Sequence, residues 1–388
     1  MTFNDYPLLT MAFLALGLAA TLTAGESASA ASGVLIKPPS PELGRLLGPL
    51  TPISTAATTG GITAFDQVLL TRGREFAETF PGKVDKDLSG DGRIDVGDYV
   101  FYDLPLVLYR IYYRTGEVVW RDRARTIGKA WSEHPGNRKI AAYLAKDWSV
   151  WPELNNQPRC MGSLGLAVRA LEADDAEART VVCNQAKLLE ATYLYGTYQS
   201  LTDPVMPLGD PRECGYALMT LVAATMLGDD HRKSAKDLLD RIIERQRPDG
   251  QWLAKDAAFP DGGYTSNFMT GILTEALVFY DRALGDPRIL PAIERNLAWT
   301  WKTQWVAADQ GFHYHSLGAT QTDGLLGALM VQGWGYAHAK TGKPEYLTQG
   351  REIITGITTR GFTEIWGVKQ YTQVFRASPL FFGYAASR

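Results

Sequence analysis

The sequence predicts an all-α chain: an (α/α)6 toroid of helical hairpins, either incomplete or closed into a barrel by its own two ends. Three observations carry that expectation. First, apolar helical stretches are punctuated by turns centred at Gly116, near Glu172, and at Gly228, Gly285 and Gly342. This is a recurrence of about 57 residues, the mark of stacked supersecondary units. Second, the two helices of a hairpin differ in kind. GYALMTLVAATML, NFMTGILTEALVFY and GLLGALMVQGWGYAHA are apolar on nearly all sides, as helices buried all round must be, whereas HRKSAKDLLDRIIERQ and PEYLTQGREIITGI are amphipathic. Third, links within a hairpin are short and links between hairpins are long, which places all the long ones at one end.

The chain has 388 residues, is 45% hydrophobic and carries a net charge of -3. That is an ordinary globular composition, and without a basic run or helix no nucleic-acid partner is expected. The apolar run LLTMAFLALGLAATLTA, followed by Ala28-Ser29-Ala30, reads as a secretory signal over residues 1–30. It implies a secreted or periplasmic protein. No later stretch is apolar enough to span a membrane. Residues 31–61 are rich in Pro, Ser, Thr and Gly and read as a linker or an extended surface arm before the toroid at 62–388. Cys160 and Cys214 both open apolar helices, so they are either joined in a disulfide or buried as free thiols.

Asp87 to Asp98, DLSGDGRIDVGD, matches a calcium loop of EF-hand type. Oxygen ligands would come from Asp87, Ser89, Asp91, Asp95 and Asp98 and from the Arg93 carbonyl, with Gly92 at the sharp turn. Asp98 replaces the usual bidentate Glu, and in this the loop resembles the dockerin variant. A structural calcium is expected here. A cohesin-binding dockerin has two such loops, and the single loop argues against a cohesin partner.

Inner helices are expected at about 98–114, 160–172, 212–227, 266–284, 323–340 and 378–387, and outer ones at 117–133, 176–194, 230–246, 287–304 and 344–357. Residues 62–80 would be the outer partner of the last inner helix. The long links are then 134–159, 195–211, 247–265, 305–322 and 358–377, all over the N-termini of the inner helices. Loops of such length in a compact domain are usually functional. They mix aromatics, carboxylates, amides, His and Arg, a mixture suited to a poly- or oligosaccharide, whose ring faces stack on aromatics and whose hydroxyls bond polar groups. Trp148, Trp151 and Trp252 are candidate sugar platforms, as are Trp305 and Trp366. Asn156, Asn267, His315, Tyr371 and Arg376 are candidate polar contacts.

Residues 98–388 resemble the six-hairpin glycosidases and the α/α-barrel polysaccharide lyases. Arg212 to Met219, RECGYALM, is similar to the S-E-G-x-x-Y-G-M stretch of family 8 glycoside hydrolases, in which the Glu donates the proton. The resemblance implies that role for Glu213, although Arg212 replaces the Ser and the Glu-to-Tyr spacing is one shorter. Gln246 to Trp252, QRPDGQW, matches the QxxDGxW pattern of terpene cyclases and other α/α barrels, but no DxDD accompanies it. Hydrolysis needs two carboxyls flanking the bond. Glu213 and Asp323 at inner-helix N-termini, and Asp261 in the turn PDGGY, are the candidates, with Asp147, Glu153, Asp210 and Glu364 further off. β-Elimination from a uronate instead needs a Tyr or His base and a group that neutralises the carboxylate. Tyr264 and His313 would serve there. The number of loop carboxylates favours hydrolysis, with elimination second and a non-catalytic binding or scaffold role third.

Overall fold

A computed structural model describes residues 35–53, 62–79, 102–146, 158, 161, 163–196, 199–255, 263–317, 322–365 and 367–387. In chain order its helices begin with α1 (Pro41–Leu47), α2 (Ile62–Thr79), α3 (Leu104–Thr115), α4 (Val118–Ser132) and α5 (Pro135–Leu144). Next come α6 (Ser163–Glu172), α7 (Ala176–Leu188), α8 (Pro211–Met226), α9 (Arg232–Glu244), α10 (Asn267–Ala283) and α11 (Ile289–Thr303). The last are α12 (Leu326–Thr341), α13 (Pro344–Thr359), α14 (Val368–Phe375) and α15 (Pro379–Ala385). The signal segment and the whole calcium loop lie outside the described residues. Among the described residues no group of three or more His, Cys, Asp or Glu is placed to hold a metal, and no helix is long and apolar enough to cross a membrane.

The fold is the α/α toroid. Contacts run around the inner ring from α3 to α6, α8, α10, α12 and α15, and return from α14 to α3. Composition explains which helices are inside. Every residue of α10 from Asn267 to Tyr280 is buried, whereas α9 buries only Ser234, Ala235, Leu238, Leu239 and Ile242, a single stripe. Gly116 and Gly342 end their helices in the left-handed conformation, φ 77° and 76°, and each N–H closes a carbonyl of the last turn.

The two ends of the chain meet, which decides for a closed ring over an open solenoid. Phe65 of α2 packs edge-on against Phe375 (5.0 Å) and Phe382 (5.2 Å). The Tyr371 hydroxyl donates to the Leu69 carbonyl at 2.8 Å. The sixth inner helix starts at Val368, not near Ser378. Its helical period is masked in the sequence because Lys369, Gln370 and Gln373 face a cavity and Pro379 interrupts its middle.

Residues 35–53 are not a surface linker. Ser40 caps α1 and Pro41 opens it, and Leu43, Leu46 and Leu47 are fully buried. The helix touches α3, α6 and α10. Arg110 and Arg114 on α3 donate to the Leu47 and Thr51 carbonyls at 2.9 Å. The segment therefore stoppers the ring at the end away from the long links, each leucine contributing roughly 1.5–3 kcal/mol of burial. Above it a charged layer crosses the waist of the barrel. Arg376 pairs with Glu275 at 2.7 Å and lies over the Tyr216 ring, and Arg110 donates to the Arg376 carbonyl. Cys214 is a free buried thiol that donates to the Pro207 carbonyl, so it is not in a disulfide.

Candidate functional site

The N-terminal ends of the inner helices converge on a cavity of about 380 Å³ at the open end of the ring. Its chemistry comes from five of them. Tyr102 precedes α3, Arg212 sits in the first turn of α8, and Phe268 in that of α10. Asp323 leads into α12, and Lys369, Gln370 and Gln373 form the upper face of α14.

Local sequence explains each placement. Asp103 is the N-cap of α3 and adopts a left-handed conformation (φ 65°, ψ 61°). One carboxylate oxygen accepts from Leu106 N and the other from Gly165 N at 2.8 Å, which ties α3 to α6. A Cβ at residue 165 would meet Asp103 Oδ1 at 2.2 Å, so only glycine fits there. This clamp sets Tyr102 in the cavity wall. Asp210 caps α8 by accepting Glu213 N at 2.9 Å, and Pro211 follows at the first helical position. Arg212 then lies 3.2 Å from Asp210 and 3.8 Å from Glu213, with its guanidinium over the Phe268 ring at 5.7 Å.

The fourth long link folds into a small antiparallel sheet of β1 (Trp305–Val306), β2 (Gly311–His313) and β3 (Thr322–Asp323). Phe312 pairs with Asp323 and His313 with Thr322. Asp323 Oδ1 accepts Leu325 N at 2.7 Å, which orients the carboxylate at the cavity rim. Just beyond β2, Tyr314 leans on Phe268 at 5.4 Å and lines the cavity.

Electrostatics follow from this crowding. Burial pushes the Tyr102 phenol up to about 12, with Arg212 pulling the other way. Burial, reinforced by Asp323, also raises Tyr314. Both phenols are held neutral. Burial works against the charge of Arg212, but Asp210 and Glu213 outweigh it and its pKa is raised. The described lining thus offers one carboxylate, two neutral phenols and two cations beside Phe268, Leu325 and Leu326.

The residues singled out from sequence divide. Asp323 lies on the cavity. Glu213 is buried one position beyond Arg212 and is not part of the lining. Tyr264 and His315 meet edge to face at 5.6 Å, and His315 lies 6.1 Å from Tyr314, so these rings flank the site. His313 and Asn267 are set back. Asn267 is fully buried and donates to the His313 carbonyl and to Gln304, which docks β2 on α10. Three expected sugar contacts are core residues instead. Trp252 is wholly buried and donates its indole N–H to the Ile242 carbonyl. Tyr371 is wholly buried against α2, and Arg376 is committed to Glu275. Trp305 is half-buried, with Trp301 stacked on one face at 4.8 Å and Phe312 edge-on at 5.0 Å. Asp261, Trp148, Trp151, Asn156 and Trp366 lie outside the described residues.

Tyr102, Arg212, Phe268, Lys369, Gln370 and Gln373 were not expected in the site. A signal existed for the last three. In VKQYTQVF the residues Val368, Tyr371, Thr372, Val374 and Phe375 are buried, so 369, 370 and 373 fall together on the opposite face.

Comparison with protein-family profiles and with curated protein sequences gives no match. Among solved structures the chain is similar to the unsaturated glucuronyl hydrolase of Bacillus sp. GL1, described as responsible for the degradation of glycosaminoglycan. The TM-score is 0.54 at 14% identity, over 78% of this chain and 85% of that one. It is also similar to cellobiose 2-epimerase of Spirochaeta thermophila, with TM-score 0.52 and 16% identity over 82% and 96%. A third similar structure is an α-1,6-mannanase of Salegentibacter sp., with TM-score 0.52 and 13% identity over 80% and 98%. At these identities the likeness establishes the α/α-toroid fold.

Proposed function

We propose that this chain is a carbohydrate-active enzyme that hydrolyses glycosidic bonds of a poly- or oligosaccharide. The observation that carries the reading is Asp323 on the rim of a stoppered cavity whose wall also holds Tyr102, Tyr314, Arg212 and Lys369. The similar structures are a glucuronyl hydrolase, a cellobiose epimerase and a mannanase, which supports a saccharide substrate.

In this reading Asp323 is one of the two carboxyls that the chemistry needs, and Asp261, in the turn before α10, supplies the other. Neutral Tyr102 and Tyr314 donate hydrogen bonds to sugar oxygens. The N-terminal ends of the inner helices around the cavity favour a substrate with an acidic group. β-Elimination is the second reading, because two tyrosines and two cations share the cavity. It ranks lower on a physical ground: burial that keeps a phenol protonated makes it a poorer base near neutral pH. A secretory signal over 1–30 and a structural calcium at Asp87–Asp98 complete the proposal and rest on sequence alone.

The test is incubation with hyaluronan, α-1,6-mannan and cello-oligosaccharides, reading both new reducing ends and absorbance near about 235 nm. Hydrolysis gives reducing ends without that absorbance, and Asp323→Asn lowers the rate by roughly 100-fold or more. Unsaturated products establish elimination instead. No product from any of them leaves a binding protein.

A further inference from the structure

A second concavity, of about 340 Å³, opens beside the mouth, between the second and third long links. Tyr193, Gln199, Ser200 and Thr202 give it an aromatic ring, an amide and two hydroxyls. Among the described lining residues the charges cancel: Lys255 Nζ lies 2.9 Å from Asp203 Oδ2, and Asp203 Oδ1 is taken by the N–H groups of Val205 and Met206. The described lining therefore suits a neutral, hydroxyl-rich group.

The walls are fixed. Lys255 N donates to the Gly209 carbonyl at 2.7 Å, which joins the two links across the groove floor. Arg245 holds the Asp203 carbonyl at 3.0 Å. Two non-glycine residues of the lining, Gln199 (φ 43°) and Leu208 (φ 59°), are held in the left-handed region. Neither amino acid favours that conformation, and strained backbone of this kind collects at binding sites. The groove is also close to the cavity. Gly209 lines the groove and Arg212 lines the cavity, and three residues span at most roughly 11 Å. One oligosaccharide is long enough to touch both.

We propose that this groove is a distal subsite for a neutral sugar unit of the same chain whose other end occupies the mouth cavity. The proposal rests on the saccharide reading above and extends it: the substrate is longer than a disaccharide.

The experiment is calorimetric titration of the full chain carrying Asp323→Asn, with disaccharides and hexasaccharides of hyaluronan, cellulose and α-1,6-mannan. A hexasaccharide is expected to bind at least about tenfold more tightly than its disaccharide. Ser200→Trp fills the groove, and Gln199→Gly removes the amide while relieving the left-handed strain. Both should abolish the length advantage and leave disaccharide affinity within about twofold. Gln199→Gly should do so with an unchanged or higher melting temperature, which a merely structural role would not produce. A length advantage that survives both variants, or none in the parent, overturns the subsite. If the parent chain cleaves nothing but its hexasaccharide binding depends on the groove, the subsite stands without the hydrolase. If no probe binds, both fall.

Discussion

Replacing Glu275 by Gln removes the countercharge of Arg376 at the waist of the barrel. The two side chains are 4% and 1% exposed and 2.7 Å apart, so no solvent screens the guanidinium once its partner is neutral. Breaking a buried pair from one side costs about 3–5 kcal/mol. The pair is nevertheless imperfectly satisfied, since Glu275 Oε1 and Arg376 Nη1 have no hydrogen-bond partner. Its advantage over an apolar pair is therefore small. The double variant Glu275→Leu/Arg376→Met should return to within about 1–2 kcal/mol of the parent. Urea unfolding at neutral pH, followed by the fluorescence of the chain's 10 tryptophans, measures both. A Glu275→Gln cost below about 1 kcal/mol would refute the argument that this pair holds the waist. Arg376→Met with unchanged stability but lost saccharide binding would return Arg376 to the substrate-contact role expected from sequence.

His231 lies between Glu190 (2.8 Å) and Asp229 (3.3 Å), with Lys187 and Ser234 on the same carboxylates. Burial opposes its charge, but the carboxylates outweigh that and lift its pKa above 6.5, so its contribution is whole below 6.5 and lost as pH rises through the folded value. Burial opposes ionisation of Glu190 as well, but His231 and Ser234 hold it below 4.5, so its own contribution is lost as pH falls below that. His231→Gln should therefore destabilise most at about pH 5.5 and least at about pH 9, read as unfolding midpoints, and equal costs at both would contradict the clamp. Leu47→Ala empties part of the stopper and should cost about 2–5 kcal/mol in the same unfolding assay; a loss under about 1 kcal/mol would mean α1 is not docked. For the loop at Asp87–Asp98, millimolar calcium should raise the melting temperature and a chelator reverse it, while Asp91→Ala removes the response. Equal responses of parent and variant would place the calcium elsewhere.

The ring was legible because its grammar is local. Gly116, Gly228, Gly285 and Gly342 all have positive φ, so each turn leaves a mark at one position. All-round apolar helices and one-sided ones differ in composition, which sorted inner from outer. What stayed hidden depends on partners far away in sequence. Pro41–Leu47 reads as part of a linker because it lies within a stretch, 31–61, rich in Pro, Ser, Thr and Gly, and only the hole in the ring makes its three leucines a core. Trp252 and Tyr371 looked like sugar contacts because they lie in loaded stretches, yet an indole N–H and a phenol also satisfy buried carbonyls at helix joints. The cavity gathers one or a few residues from each of five helices, so Tyr102, Arg212 and Lys369 share no motif. Asp323, which lines the cavity, stands out in the sequence because an acid before an inner helix is marked by its neighbours.

Closing the ring through α2 also sets the order in which the molecule can be finished. The Tyr371 hydroxyl reaches back 302 residues to Leu69, and Phe65 waits for Phe375 and Phe382. At 5–20 residues per second, roughly 15–60 s of synthesis separate the two sides of that seam. Throughout that interval Phe65 lacks Phe375 and Phe382, Leu69 lacks the Tyr371 hydroxyl, and the growing stack of hairpins is an open arc. Tyr371, Phe375 and Phe382 are the residues that convert the arc into a ring. Loss of α15 would be felt first near residue 65, far away in sequence, and a nascent chain released before it is made would meet its neighbours through that edge.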